Sequence, residues 1–127
     1  MKKNHAPTPF SRHLRTEREQ RHLLQKQLAI DVGVSQSVVC GWESGVRPPP
    51  RGSQLQALIR AIRLSDAEAA LMRHLAEISR PTLRLHQGTP VNGYQVLHDL
   101  AANLPRMSDQ HLQVLAGLLK LHSKEAA

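Results

Sequence analysis

Residues 23–45 read LLQKQLAIDVGVSQSVVCGWESG, and this stretch decides the fold. Leu24, Leu28 and Val32 recur every fourth residue, which predicts a short helix from about Leu24 to Val32 with one apolar face. Gly33 ends it, because only glycine turns through positive φ without penalty, and Ser35 follows as the N-cap of a second helix. That helix runs from Gln36 to about Ser44 and stops at Gly45. Val39 and Trp42, three residues apart, face inward. Ser35, Gln36, Ser37, Cys40 and Gly41 fall on the outward side.

Upstream, Thr8 followed by Pro9 matches an N-cap with proline at the first helical position. Phe10 and Leu14 then lie one turn apart on a helix reaching about Gln20, and Ile30 is a further isolated apolar residue in this polar region. Downstream, Arg47-Pro48-Pro49-Pro50-Arg51 must be a loop, since no proline supplies an amide donor. Ser53 is expected to cap a fourth helix through Ile62, with Leu55, Leu58, Ile59 and Ile62 as its buried stripe. Ser65-Asp66-Ala67-Glu68 has the form of a capping box. The fifth helix it opens is expected to bury Leu71, Leu75 and Ile78 and to stop before Pro81.

The remainder is less regular. Thr82 to His86 alternates apolar and polar residues, and Tyr94 to Leu97 fits either a strand or the start of a helix. Helical spacing of Leu97, Leu100, Ala101 and Leu104 favours a helix from Gly93 to Asn103. Ser108 caps a last helix whose Leu112, Leu115, Leu119 and His122 fall on one stripe, while Val114, Leu118 and Leu121 widen it beyond one face, the pattern of a helix packed into a bundle or a subunit interface. The expected fold is therefore all-α: a basic arm at 1–8, a five-helix domain at 9–78, a linker at 79–93 and a helical dimerisation or partner segment at 94–127.

Composition narrows the function. The chain of 127 residues holds 17 Lys and Arg against 10 Asp and Glu. Eleven basic and four acidic side chains lie in residues 1–64, and six of each in 65–127. A one-sided positive field attracts phosphates over about a Debye length of ~8–10 Å, which suits a polyanion-binding module joined to a neutral partner. Three aromatic residues against 19 leucines point to an aliphatic, helical core. Cys40 has no cysteine to pair with, and none of the eight histidines forms His-x-x-x-His, so neither a disulfide nor a metal site is expected. No nucleophile–base pair, carboxylate pair or phosphate loop suggests an enzyme, and no cofactor is implied. With no apolar run of membrane-spanning length and no signal-peptide pattern, a cytoplasmic setting is expected.

Two short helices around a glycine corner, between a basic helix and a basic loop, form a helix-turn-helix arrangement. Gln25 at the start of the first motif helix, Leu28-Ala29 within it, Gly33-Val34-Ser35 at the turn and Trp42-Glu43-Ser44-Gly45 at the close resemble the phage repressor and Cro-like (Xre) family. The resemblance spans about residues 10–78. It implies a five-helix repressor-like domain that binds double-stranded DNA. Gln36, Ser37 and Cys40 would read bases, and glutamine pairs bidentately with adenine. Gln25, Ser35, Ser44, Arg47 and Arg51 would contact the phosphate backbone, and Arg18 with Glu43 would form a structural ion pair. Outside the resemblance, Lys2 and Lys3 of the basic arm are candidates to reach a minor groove, the alternative being a solvated terminus. Two positions depart from the pattern: Leu24 replaces a Ser or Thr cap, and Gly41 replaces a long base-contacting side chain. The resulting expectation is a transcriptional regulator, a repressor acting as a homodimer on a palindromic operator through Leu112, Leu115, Leu118 and Leu119. The alternatives are an antitoxin-type autorepressor whose C-terminal part binds a protein, and a helix-turn-helix scaffold used for protein contacts alone.

Overall fold

The computed structural model describes residues 6–126. Seven α-helices follow one another: α1 (Pro9–Gln20), α2 (Gln25–Val32), α3 (Gln36–Ser44), α4 (Gly52–Ile62), α5 (Asp66–Ile78), α6 (Val91–Asn103) and α7 (Asp109–Ala126), with a 3-10 turn at Leu104–Arg106 between the last two. Among the described residues there is no strand. The expected arm residues Lys2 and Lys3 lie outside the described residues.

Local chemistry explains most of the boundaries. Thr8 and Ser11 cap α1 reciprocally: the Ser11 amide donates to Thr8 Oγ1 at 3.0 Å and the Thr8 amide to Ser11 Oγ at 2.8 Å. Ser65 and Glu68 do the same for α5 at 3.2 and 2.9 Å. These hydrogen bonds, from the Ser65 backbone first, hold the Glu68 carboxyl below its ordinary range. Leu24 offers α2 no side-chain cap, but its own amide donates to Gln27 Oε1 at 3.2 Å. Gly33 turns the α2–α3 corner at φ +85°. At the start of α7 the His111 amide donates to Ser108 Oγ at 3.2 Å.

The chain divides into two units, Met1–Leu83 and Arg84–Ala127. In the first, α1 packs on α3 and α5, and α2 on α3 and α4. Phe10, Leu14, Leu28, Val39, Trp42, Leu58, Ile62 and Met72 fill the centre, with Ala29, Ile59, Ala69 and Ala76 between them. A hydrogen bond from the Phe10 amide to Ser79 Oγ at 3.0 Å joins the start of α1 to the end of α5. The second unit consists of α6, the 3-10 turn and α7. None of its described side chains is buried; Leu97, Leu100, Met107 and Leu115 are half-buried.

Several expectations are corrected. Ser53 does not cap α4: the helix begins at Gly52 with Arg51 at the N-cap, which makes no side-chain cap bond. On α5, Leu71 and Ile78 are exposed and the buried residues are Ala69, Met72 and Ala76, a face rotated by about one residue's turn of ~100°. The alanines let α5 lie close to α1, and larger side chains on that face would hold the helices apart. Leu24 and Ile30 are also exposed, at 64% and 70%, because Leu24 stands outside the helix and Ile30 points away from α3 and α4. Finally, α6 starts at Val91, two residues earlier than its leucine spacing suggested, and Tyr94 to Leu97 is helical.

Candidate nucleic-acid interface

The turn at Gly33 sets α3 against α2 and gives α3 two unlike sides. Val39 and Trp42 enter the core, while Gln36, Ser37 and Cys40 are exposed together. Ser35 occupies the N-cap, yet its hydroxyl pairs with Ser37 Oγ at 2.9 Å instead of capping a backbone amide. The first amides of α3 therefore retain donors that the helix cannot use, beside an exposed row of short polar side chains.

What holds α3 in this attitude is a buried ionic cluster. Arg18 of α1 meets Glu43 of α3 in two parallel bonds, Nε to Oε2 at 2.7 Å and Nη2 to Oε1 at 2.9 Å. Its remaining Nη1 donates to the Leu23 carbonyl at 2.7 Å, and Gln25 Nε2 donates to Glu43 Oε1 at 3.1 Å. The Arg18–Glu43 pair thus joins α1, the α1–α2 connection, α2 and α3. The hydrogen bonds to Glu43 outweigh desolvation and raise the Arg18 guanidinium above its ordinary range. Gln25, anticipated as a phosphate contact, keeps its place at the N-terminus of α2 but spends its side-chain amide on Glu43.

The proline loop after α3 is anchored from behind. Prolines contribute carbonyls without amides, so a run of three leaves acceptors that its own backbone cannot satisfy. Arg80 supplies the donors: one Nη bonds the Pro49 carbonyl and the other the Pro50 carbonyl, the latter at 2.8 Å. Pro49 and Pro50 are buried, whereas Arg47 and Arg51 remain exposed on either side of them. Burial, and then the charge of Arg51, push the Arg80 guanidinium below its ordinary range. Sequence reading missed Arg80. The available signal was a lone basic residue directly before Pro81, at a helix end, with three prolines upstream short of donors.

A groove of about 410 Å³ runs between α3 and this loop, lined by Val38, Trp42, Arg47, Pro48, Pro49, Pro50, Arg51 and Gln54. Ser44 closes α3, exposed, with its hydroxyl donating to the Gly41 carbonyl at 3.3 Å. Gly41 lies on the outward side as expected but is not exposed there: it is buried beneath the side chain of Arg47. A family model described as a helix-turn-helix domain matches residues 9–72, from the first residue of α1 into α5.

The chain belongs to the helix-turn-helix domain family. It is accordingly a helix-turn-helix protein of the DNA-binding type, with α2 and α3 as the paired helices. Comparison with curated proteins and with solved structures gave no match. Within the helix-turn-helix domain the exposed residues of the anticipated DNA-facing set are Gln36, Ser37, Cys40, Ser35, Ser44, Arg47 and Arg51. Among the described residues no three His, Cys, Asp or Glu side chains group as metal ligands, and no helix is long and apolar enough to cross a membrane.

Proposed function

We propose that this protein is a sequence-specific transcriptional regulator of the phage repressor and Cro-like kind, which represses by occluding a promoter. The observation that carries this reading is the two-sidedness of α3: Val39 and Trp42 are buried behind it, and Gln36, Ser37 and Cys40 are exposed in front. A major groove about 12 Å wide admits such a helix, and short polar side chains let it approach the base edges. Arg47 and Arg51 flank it with positive charge that draws in the DNA, and Arg51 is placed for a phosphate contact. The experiment that tests the reading is selection of bound sequences from random duplex DNA; enrichment of a palindrome is expected, and no enrichment overturns it.

Within that reading Gln36 selects adenine. Gln36→Ala is expected to relax preference at one position per half-site by ~1–3 kcal/mol. Arg51→Ala should instead weaken all sequences alike and lower the salt slope by about 1. Titrations against selected and mutated sites at two salt concentrations separate the two effects.

The second unit supports a homodimer. Leu118 and Leu119 of α7 are about 60% exposed, and no described residue between 84 and 125 is buried, so the leucines of this unit have little within the unit to cover them. Dimerisation through Leu112, Leu115, Leu118 and Leu119 would place two reading helices on half-sites about 34 Å apart, or a multiple of that. The double change Leu118→Glu and Leu119→Glu should give a monomer by analytical ultracentrifugation. It should also weaken operator binding by about 100-fold through loss of avidity, without lowering the stability of the first unit. A dimer that persists in this variant overturns the α7 interface.

A further inference from the structure

The DNA-facing row of α3 has a gap that the loop fills. Gly41 lies one turn beyond Ser37, on the side that carries Gln36, Ser37 and Cys40, and has no side chain of its own. A β-carbon there would stand 2.7 Å from Cγ and from Cδ of Arg47 and 3.2 Å from its Nε. Carbon atoms pack at ~3.5–4.0 Å, so the arginine stem occupies the volume a residue-41 side chain would need. The backbone reinforces the placement, because the Arg47 amide donates to the Gly41 carbonyl at 3.0 Å. The guanidinium is thereby carried by α3 as well as by the loop. Arg47 is exposed, and no ion pair engages it among the described residues.

We infer that Arg47 reads a base, guanine, in the major groove, standing in for the side chain that Gly41 lacks. This rests on the proposal that α3 enters that groove. A phosphate contact needs only a positive charge within reach of the backbone. A stem laid across the reading helix instead starts the planar fork from the surface of α3 itself, and that fork matches the O6 and N7 acceptors of guanine. Sequence selection is then shared between Gln36 and Ser37 at the first turn of α3 and Arg47 beyond Ser37. Glycine at 41 becomes a requirement of specificity, since any β-carbon displaces the arginine.

The test is selection of bound sequences from random duplexes with the full chain, in parallel for Arg47→Lys, Arg47→Ala and Gly41→Ala. Unfolding followed by Trp42 fluorescence checks that each variant folds. The unaltered protein should enrich a motif containing one guanine per half-site that depends on Arg47. Arg47→Lys keeps the charge and loses the fork, so it should give up that guanine preference, roughly 5- to 150-fold, while other positions of the motif persist. Gly41→Ala should lose the same guanine with Arg47 intact. A motif unchanged in Arg47→Ala, with uniformly weaker binding, overturns the inference and makes Arg47 a phosphate contact. Retention of the guanine in Gly41→Ala overturns it as well. Failure of the unaltered protein to enrich any sequence overturns the regulator reading, and this inference with it.

Discussion

Glu43→Ala is expected to destabilise the helix-turn-helix domain by about 3–5 kcal/mol, a large part of the ~5–15 kcal/mol that holds a domain folded. The Glu43 side chain is 3% exposed and that of Arg18 11%, so removing the carboxylate leaves a largely buried guanidinium with only the exposed Glu19 carboxylate, 3.9 Å away, as counter-charge. It also removes the acceptor of Gln25. Urea unfolding reports this cleanly, because the single tryptophan of the chain, Trp42, lies next to Glu43 in the first unit and its fluorescence follows that unit alone. The double variant Arg18→Met with Glu43→Leu should recover most of the loss, since apolar side chains of similar size fill the site without desolvating a charge. A loss below ~1 kcal/mol in Glu43→Ala would mean that the pair behaves as a solvated surface bridge. Recovery in the double variant separates two roles: the pair fixes the attitude of α3, and adds little to net stability.

Trp42→Ala is expected to cost a further large amount, about 3–5 kcal/mol. Trp42 is 3% exposed and shares the core with Phe10, Leu14, Leu28 and Val39, so truncation leaves a cavity that the three rigid helices carrying these residues cannot close. Far-UV circular dichroism follows the urea transition, since the fluorescent probe is gone. Trp42→Phe keeps most of the volume and should fall well short of the alanine loss. An aromatic residue beside a DNA-facing helix invites another role, stacking on a base. A Trp42→Ala variant with unchanged stability and weakened DNA binding would establish that role and overturn the core assignment.

The helical order of the first unit was legible because its punctuation is local. Gly33 and Gly45 end α2 and α3, Thr8 and Ser65 open α1 and α5, and three prolines forbid a helix between Gly45 and α4. Each signal acts through backbone groups within three or four residues. The buried residues of α3 were legible for the same reason, since Val39 and Trp42 recur at helical spacing. The face of α5 was not. Leu71, Leu75 and Ile78 make as regular a stripe as Ala69, Met72 and Ala76, and hydrophobicity favours the wrong one. The choice depends on how closely α1 approaches, which is a property of the partner helix.

The candidate site divides in the same way. Residue types and spacing placed Gln36, Ser37 and Cys40 on one side of a helix, and the resemblance marked Arg18 and Glu43. Neither disclosed that Gln25 joins Glu43, that Arg80 holds the Pro49 and Pro50 carbonyls, or that Arg47 lies over Gly41. In sequence these pairs are 18, 31, 30 and 6 residues apart, and all four involve long side chains with several rotatable bonds.

The sequence by itself thus determined an all-α chain with a helix-turn-helix motif, because caps, glycines and prolines act on the backbone over a single turn. The tertiary structure decided which face of α5 is buried, what secures the proline loop and where the Arg47 stem lies. Those outcomes depend on the volumes and unsatisfied polar atoms of neighbours beyond the reach of a single helical turn, which no local pattern encodes.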